Sequence, residues 1–258
     1  MATESEKKAN RIVQALWIGP TLSQLEQLSI RSFLHQGHDY HLYVYDEPRN
    51  LPRGTVLHDA GEILPANRIF TYRDHDSPSA FANLFRYRLL LERGGWWVDT
   101  DVVCLRPFEF AAEHLFSTER LRDGTATTSS GVLKAPAASP VMEYALRRCE
   151  AADPKSLRWG ETGPALLGEA VEACGFSAHR QRPEVFCPVN YWDWERVLDP
   201  QAAFDFDADT HAVHLWNEMW RRAASDKDRA PAAGSLYERL LTRFPERSLH
   251  DVAMRSSG

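Results

Sequence analysis

Apolar positions along the chain follow two spacings. Residues 12–18 form an apolar run of strand length that stops at Gly19-Pro20. Leu22, Leu25, Leu28 and Phe33 then recur at helical spacing, predicting a helix over residues 22–35 ended by Gly37, with Thr21 and Gln24 spaced as a capping box. Tyr40-His41-Leu42-Tyr43-Val44-Tyr45 alternates like a strand and runs into the turn residues Asp46-Glu47-Pro48. Strand, helix and strand open a βαβ unit, which implies a parallel sheet.

Phe81, Leu84, Phe85, Leu89 and Leu91 give a broad apolar face, predicting a helix over residues 78–93 capped by Ser77 or Ser79. Gly94-Gly95 ends it, because glycine readily takes the left-handed conformation of a helix C-cap. Trp96-Trp97-Val98 then reads as a short buried strand that delivers Asp99 and Asp101 at its carboxyl end, where open α/β sheets bind their ligands. Further on, the pattern predicts a strand at residues 131–133, helices at 140–150 and 164–173, and a strand at 212–216. A polar, loop-like stretch at 221–233 and a last helix at 236–243 follow. No internal repeat or linker is visible, so residues 1–258 read as a single α/β domain, with residues 1–10 and about 250–258 expected to be flexible.

Composition narrows the function. Hydrophobic residues make up 43% and charged residues 26%, as in an ordinary globular protein. A net charge of −6 supplies no field to gather nucleic acid, so an anionic ligand needs a metal or a few placed arginines. Cys104, Cys149, Cys174 and Cys187 form no CxxC pair and are expected to be reduced core thiols rather than a zinc site or disulfides. The polar N-terminal stretch carries no apolar signal region, and no apolar run reaches the ~20 residues that cross a bilayer. The expectation is no transmembrane segment and a cytoplasmic location.

Residues two apart in an extended segment point to one side, so Asp99 and Asp101 are expected to present both carboxylates to one pocket. Two close carboxylates tolerate burial only with a cation between them, and Mn²⁺ or Mg²⁺ suits such oxygen ligands and shares them with phosphate. Asp99-Thr100-Asp101 is therefore the candidate metal or phosphate site, a structural turn being the other reading.

The segment from Ala80 through Arg86 and Tyr87 to Gly94-Gly95-Trp96-Trp97-Val98-Asp99-Thr100-Asp101 resembles the sugar-binding DXD region of one glycosyltransferase family. That family, family 32-like, includes the yeast initiating α-1,6-mannosyltransferase and the α-1,4-galactosyltransferases, and shares a core with the clostridial glucosylating toxins. The resemblance implies a GT-A fold, with a Rossmann-like, mostly parallel central sheet flanked by helices. It also implies sugar transfer from a nucleoside-diphosphate sugar, UDP-sugars favoured, to a glycan or small-molecule hydroxyl, with retention of configuration. In such relatives an Asp and an Arg on the preceding helix face the donor; Arg86 matches the Arg, and Asn83 stands where Asp is usual. An amide both donates and accepts, so this departure bears on the choice of sugar. Leu16-Trp17-Ile18-Gly19 resembles the family's WIG segment, which would put Trp17 and Ile18 near the nucleotide base; a core tryptophan closing a strand is the other reading. Ala212-Val213-His214-Leu215-Trp216-Asn217 resembles the AVHxWN strand, implying that His214 reaches the metal or diphosphate while Trp216 and Asn217 meet the phosphates. Gly160-Glu161-Thr162-Gly163-Pro164 is similar to the family's Thr-Gly-Pro helix start.

Tyr191-Trp192-Asp193-Trp194 suits either an acceptor-sugar cleft or tryptophans buried beneath a loop. Arg147-Arg148 and Arg221-Arg222 read as solvated faces, and Asp205, Asp207 and Asp209 as a surface strand and turn. Two rivals remain. Val98-Asp99-Thr100-Asp101-Val102 also fits a HAD-type phosphatase pattern, although that motif belongs on a first strand. A non-catalytic sugar-nucleotide or glycan-binding protein is the other, raised by Asn83.

Overall fold

The computed structural model describes residues 10–72 and 77–246. The ends expected to be flexible lie outside these residues, Asn10 apart. In chain order the elements used below are β1 (Ile12–Trp17), α1 (Gln24–His35), β2 (Asp39–Val44), β3 (Val56–Asp59), α2 (Ser79–Arg93), β4 (Gly95–Val98) and β5 (Val102–Cys104). They continue with β6 (Leu115–Arg120), β7 (Ala126–Ala135), α3 (Pro140–Ala151), α4 (Leu166–Ala173), β8 (Ala212–His214), α5 (Asn217–Arg222) and α6 (Leu236–Arg243).

β3-β2-β1-β4-β7-β6 is the strand order of the main sheet. β3, β2, β1 and β4 are mutually parallel, and β7 enters antiparallel between β4 and β6. This is the mostly parallel, helix-flanked sheet expected of a GT-A transferase. Successive strand residues feed opposite faces. Leu16, Tyr43, Trp97 and Leu133 pack with Phe81 and Phe85 of α2 on one side. Ala15, Leu42, Trp96 and Val132 pack with Ile30 and Phe33 of α1 on the other. Trp96 and Trp97 are 0% and 2% exposed. At ~25 cal/mol per Å², burying roughly 200 Å² of each ring contributes at most about 5 kcal/mol apiece.

A separate two-stranded sheet pairs β5 antiparallel with β8, opposing Val102 to His214 and Val103 to Val213. Ser29 and Ser32 of α1 hold β5, the first donating to Val102 O at 2.6 Å and the second accepting from Cys104 N–H at 2.7 Å. This small sheet brings residue 214 beside residue 101. No helix among the described residues is long and apolar enough to cross a membrane.

Several expected boundaries move. α1 starts at Gln24 with Ser23 as its cap, because Glu26 accepts the Ser23 N–H at 2.8 Å, whereas Thr21 bonds the Arg49 side chain. The helix expected over 164–173 becomes regular only at Leu166, because Gly163 takes non-helical angles in front of it. β8 ends at His214, since Trp216 adopts φ +58° and the chain turns into α5, which takes the start of the expected loop. No strand forms around Asp205, Asp207 and Asp209. β3 and β6 were not anticipated: β3 is a four-residue edge strand, and β6 ends in the polar Thr118-Glu119-Arg120.

Candidate active site

Gly94 takes φ +65°, and a Cβ there would lie 2.5 Å from the Ala137 backbone nitrogen, so only glycine lets α2 reverse into β4. β4 hands the chain to a turn. Asp99 N–H donates to Gly131 O at 2.8 Å, and Val102 N–H donates back to Asp99 O at 3.1 Å. Asp99 and Asp101 thus converge through a tight turn between β4 and β5, not through the i, i+2 alternation of an extended strand, which corrects the expected geometry.

One oxygen of Asp99 is held from two directions. Arg86 Nη2 lies 2.6 Å from Asp99 Oδ1, and the Trp97 indole N–H donates to the same atom at 2.8 Å. The Arg86 guanidinium is 4.8 Å from the Trp97 ring centroid, and its Nη1 donates to Asn83 Oδ1 at 2.5 Å. Asn83 Nδ2 in turn donates to Thr162 Oγ1 at 3.4 Å, tying α2 to the segment ahead of α4.

Asp101 is buried, and its Oδ2 accepts the Asn217 backbone N–H at 2.6 Å and lies 3.2 Å from His214 Nε2. Burial would raise the Asp101 pKa, but the His214 charge and hydrogen bond and the Asn217 N–H leave it below the usual carboxylate value. Burial likewise opposes a charged His214, yet Asp101 outweighs it and holds the imidazole well above its usual range. His214 stacks on Trp216 with centroids 4.0 Å apart. On its β7 side the fit is tight: a Cβ on Gly131 would sit 3.0 Å from His214 Cε1 and 3.7 Å from Asp99 Oδ2. One ligand atom each from Asp99, Asp101 and His214 lies within 4.8 Å of the others.

These three open into a cavity of about 530 Å³, in the size range of small-molecule sites. Asn83, Arg86 and Trp216 line it with them. Other expected residues lie elsewhere. Thr100 is half-exposed in the turn, and Asn217 meets Asp101 through its backbone while its side chain accepts from Lys227. Trp17 and Ile18, at the end of β1, are half-buried against the two apolar clusters and outside the cavity lining; the Trp17 indole nitrogen has no partner among the described residues. Tyr191 lines the cavity, but Trp194 is buried against Trp220. Arg222, expected on a solvated face, also lines it.

Sequence reasoning passed over Glu119, Ser129 and Trp159, which also line the cavity. Burial pushes the Glu119 carboxyl upward and Asp99 adds to this, while His214 and the Ser129 hydroxyl pull it down. Only the pairing of β6 with β7 places Glu119 beside the aspartates, and no local signal announces that pairing. The four cysteines are free; Cys104 and Cys187 are buried, while Cys149 and Cys174 are half-buried rather than core.

Residues 23–121 match the family described as the glycosyltransferase sugar-binding region containing the DXD motif. Residues 136–247 match the alpha 1,4-glycosyltransferase conserved region. Both matched regions are glycosyltransferase regions, and they lie one after the other along the chain. The chain is 23% identical over 225 residues to human alpha-1,4-N-acetylglucosaminyltransferase, covering 78% of its own length. It spans 62% of that relative's length. Among solved structures it is similar to the PaToxG glycosyltransferase, with TM-score 0.45 and 10% identity over 68% of this chain and 77% of the other. The apo-form glycosyltransferase GlyE of Streptococcus pneumoniae TIGR4 gives TM-score 0.44 and 13% identity over 86% and 65%.

Proposed function

We propose that the chain transfers a sugar from a nucleoside-diphosphate sugar, UDP-sugars favoured, to a hydroxyl acceptor, with retention of configuration and dependence on Mn²⁺ or Mg²⁺. The observation that carries this reading is the convergence of Asp99, Asp101 and His214 within 4.8 Å in the cavity. Two carboxylates and an imidazole suit Mn²⁺ or Mg²⁺ and leave positions for phosphate oxygens. When bound, such a cation neutralises the charge that builds on the departing diphosphate.

The chain's own residues do the rest. Arg86 and Trp97 fix one oxygen of Asp99, and its other oxygen lies toward Gly131 of β7. Asn217 N–H and His214 orient Asp101. Trp216, stacked on His214, forms the wall beside the proposed phosphate position and keeps water from it. Asn83 faces the donor sugar with an amide whose oxygen is committed to Arg86. Retention needs attack from the face the diphosphate leaves, and a departing phosphate oxygen can take the acceptor's proton, a route that does not require a base from the protein. Because the cavity draws on both matched regions, we read them as one catalytic domain.

The test is release of nucleoside diphosphate from a panel of UDP- and GDP-sugars with Mn²⁺. At least one donor should turn over, EDTA should stop it, and Mn²⁺ should restore it. Turnover of no donor, or phosphate release from an aryl phosphate instead, contradicts the reading.

A further inference from the structure

Among the residues lining the cavity is Trp159, 39% exposed. The other large apolar side chains exposed to this degree among the described residues are Ile12 and Val56, which are aliphatic. Leaving an indole in water forfeits the stabilisation of burying it, so its place needs a reason. Tyr72, itself buried, supports the ring with centroids 5.0 Å apart. The segment just after Trp159 is anchored to α2, because Tyr87 Oη donates to Thr162 O at 3.0 Å and Thr162 Oγ1 accepts from Asn83. Asn83 accepts from Arg86, which holds Asp99. The indole therefore stands in a fixed relation to the Asp-Asp-His cluster through one chain of contacts.

The Arg222 guanidinium carbon lies 4.6 Å from the Trp159 ring centroid. A ring face carries negative quadrupolar charge and attracts positive groups. The C–H face of a pyranose carries the same sign of partial charge and is also apolar. Arg222 has a second anchor, Glu218 at 2.7 Å, so it can leave the ring without losing its ion pair.

Resting on the proposed function and a glycan acceptor, we infer that Trp159 is a specificity-determining residue: the acceptor's terminal ring lays its C–H face on this indole, in the place Arg222 now takes. The diphosphate end of the donor belongs at the carboxylates, which leaves the rest of the cavity for the acceptor. Glu119, which also lines the cavity, offers an acceptor hydroxyl a hydrogen-bond partner. An aliphatic alcohol would gain nothing from the indole.

The experiment compares the parent with Trp159→Ala and Trp159→Phe. Saturation-transfer NMR with methyl glycosides of glucose, galactose, mannose and N-acetylglucosamine, in the presence of UDP and Mn²⁺, reads contact with one sugar face directly. At least one glycoside should receive saturation on ring protons of one face; Trp159→Ala should lose most of it and Trp159→Phe should keep it. In transfer assays with that glycoside, Trp159→Ala should raise the acceptor KM about tenfold, with a smaller change in kcat. Circular dichroism checks that both variants fold. Saturation that survives Trp159→Ala, or no glycoside saturating a parent that hydrolyses a sugar nucleotide, overturns the inference and leaves the proposed function standing. A parent that hydrolyses no sugar nucleotide overturns both.

Discussion

Arg86 on α2 and Asp99 beyond β4 form an ion pair of 2.6 Å in which the guanidinium is almost wholly buried and the carboxylate about a quarter exposed. The pair aims the Asp99 carboxylate from the wall of the cavity that Arg86 also lines. Arg86→Gln should therefore weaken Mn²⁺ binding about 10- to 100-fold, as the loss of groups that orient metal ligands does. The stability cost should be about 1–3 kcal/mol, below that of a fully buried pair because Asp99 keeps some water. Calorimetry with Mn²⁺ and a denaturant titration read the two effects separately, and parental Mn²⁺ affinity in the variant would remove Arg86 from the site.

Gly131 makes a sharper probe because it touches the cluster from behind. In Gly131→Ala the new methyl starts 3.0 Å from His214 Cε1, so the imidazole must move by a few tenths of an ångström. Mn²⁺ affinity should fall about tenfold, while overpacking costs about 1–3 kcal/mol of stability. Unchanged affinity would mean that His214 is not a ligand.

How much of this was readable beforehand follows from what each residue depends on. α2, its Gly94-Gly95 stop and the Trp96-Trp97 strand were legible because each rests on local periodicity and on glycine's left-handed angles. Asp99 and Asp101 were legible as a pair, but their convergence comes from a turn that the strand reading did not contain. His214 entered through resemblance, and the β5–β8 register is the physical reason it arrives. Glu119, Trp159 and Arg222 were illegible because they reach the cavity through the β6–β7 pairing, the segment anchored by Thr162, and the left-handed turn at Trp216, all non-local or irregular features.

pH should move metal binding and metal-free stability in opposite directions. His214 is held above its usual value, so its contribution to stability is fully present below about pH 6.5 and is lost as pH rises through the folded value. Asp101 is held below its usual value, so its contribution is present above about pH 3.9 and is lost on acidification. A ligating imidazole must shed its proton, so Mn²⁺ affinity should climb above about pH 6.5 while this part of the metal-free stability declines. Thermal melts in EDTA and Mn²⁺ titrations across that range test both signs; a flat Mn²⁺ affinity contradicts His214 ligation.

Thiol reactivity should sort the cysteines by depth. Burial pushes Cys104 and Cys187 upward, and Cys149 up to about 12. Cys104 and Cys187 should resist Ellman's reagent in the native protein, and all four should react after denaturation. Fewer than four thiols in the unfolded chain would reveal a disulfide.

Nucleoside-diphosphate release by Asp101→Asn, beside the parent under the same Mn²⁺ and UDP-sugar conditions, tests the central claim most directly. The substitution keeps the side chain's size and an oxygen for the Asn217 N–H, and removes the charge that His214 and the cation share. The account predicts a folded variant whose Mn²⁺-dependent turnover falls by about 10²–10³-fold, with the Mn²⁺-dependent thermal shift by UDP lost as well. Parental turnover in that variant would contradict it.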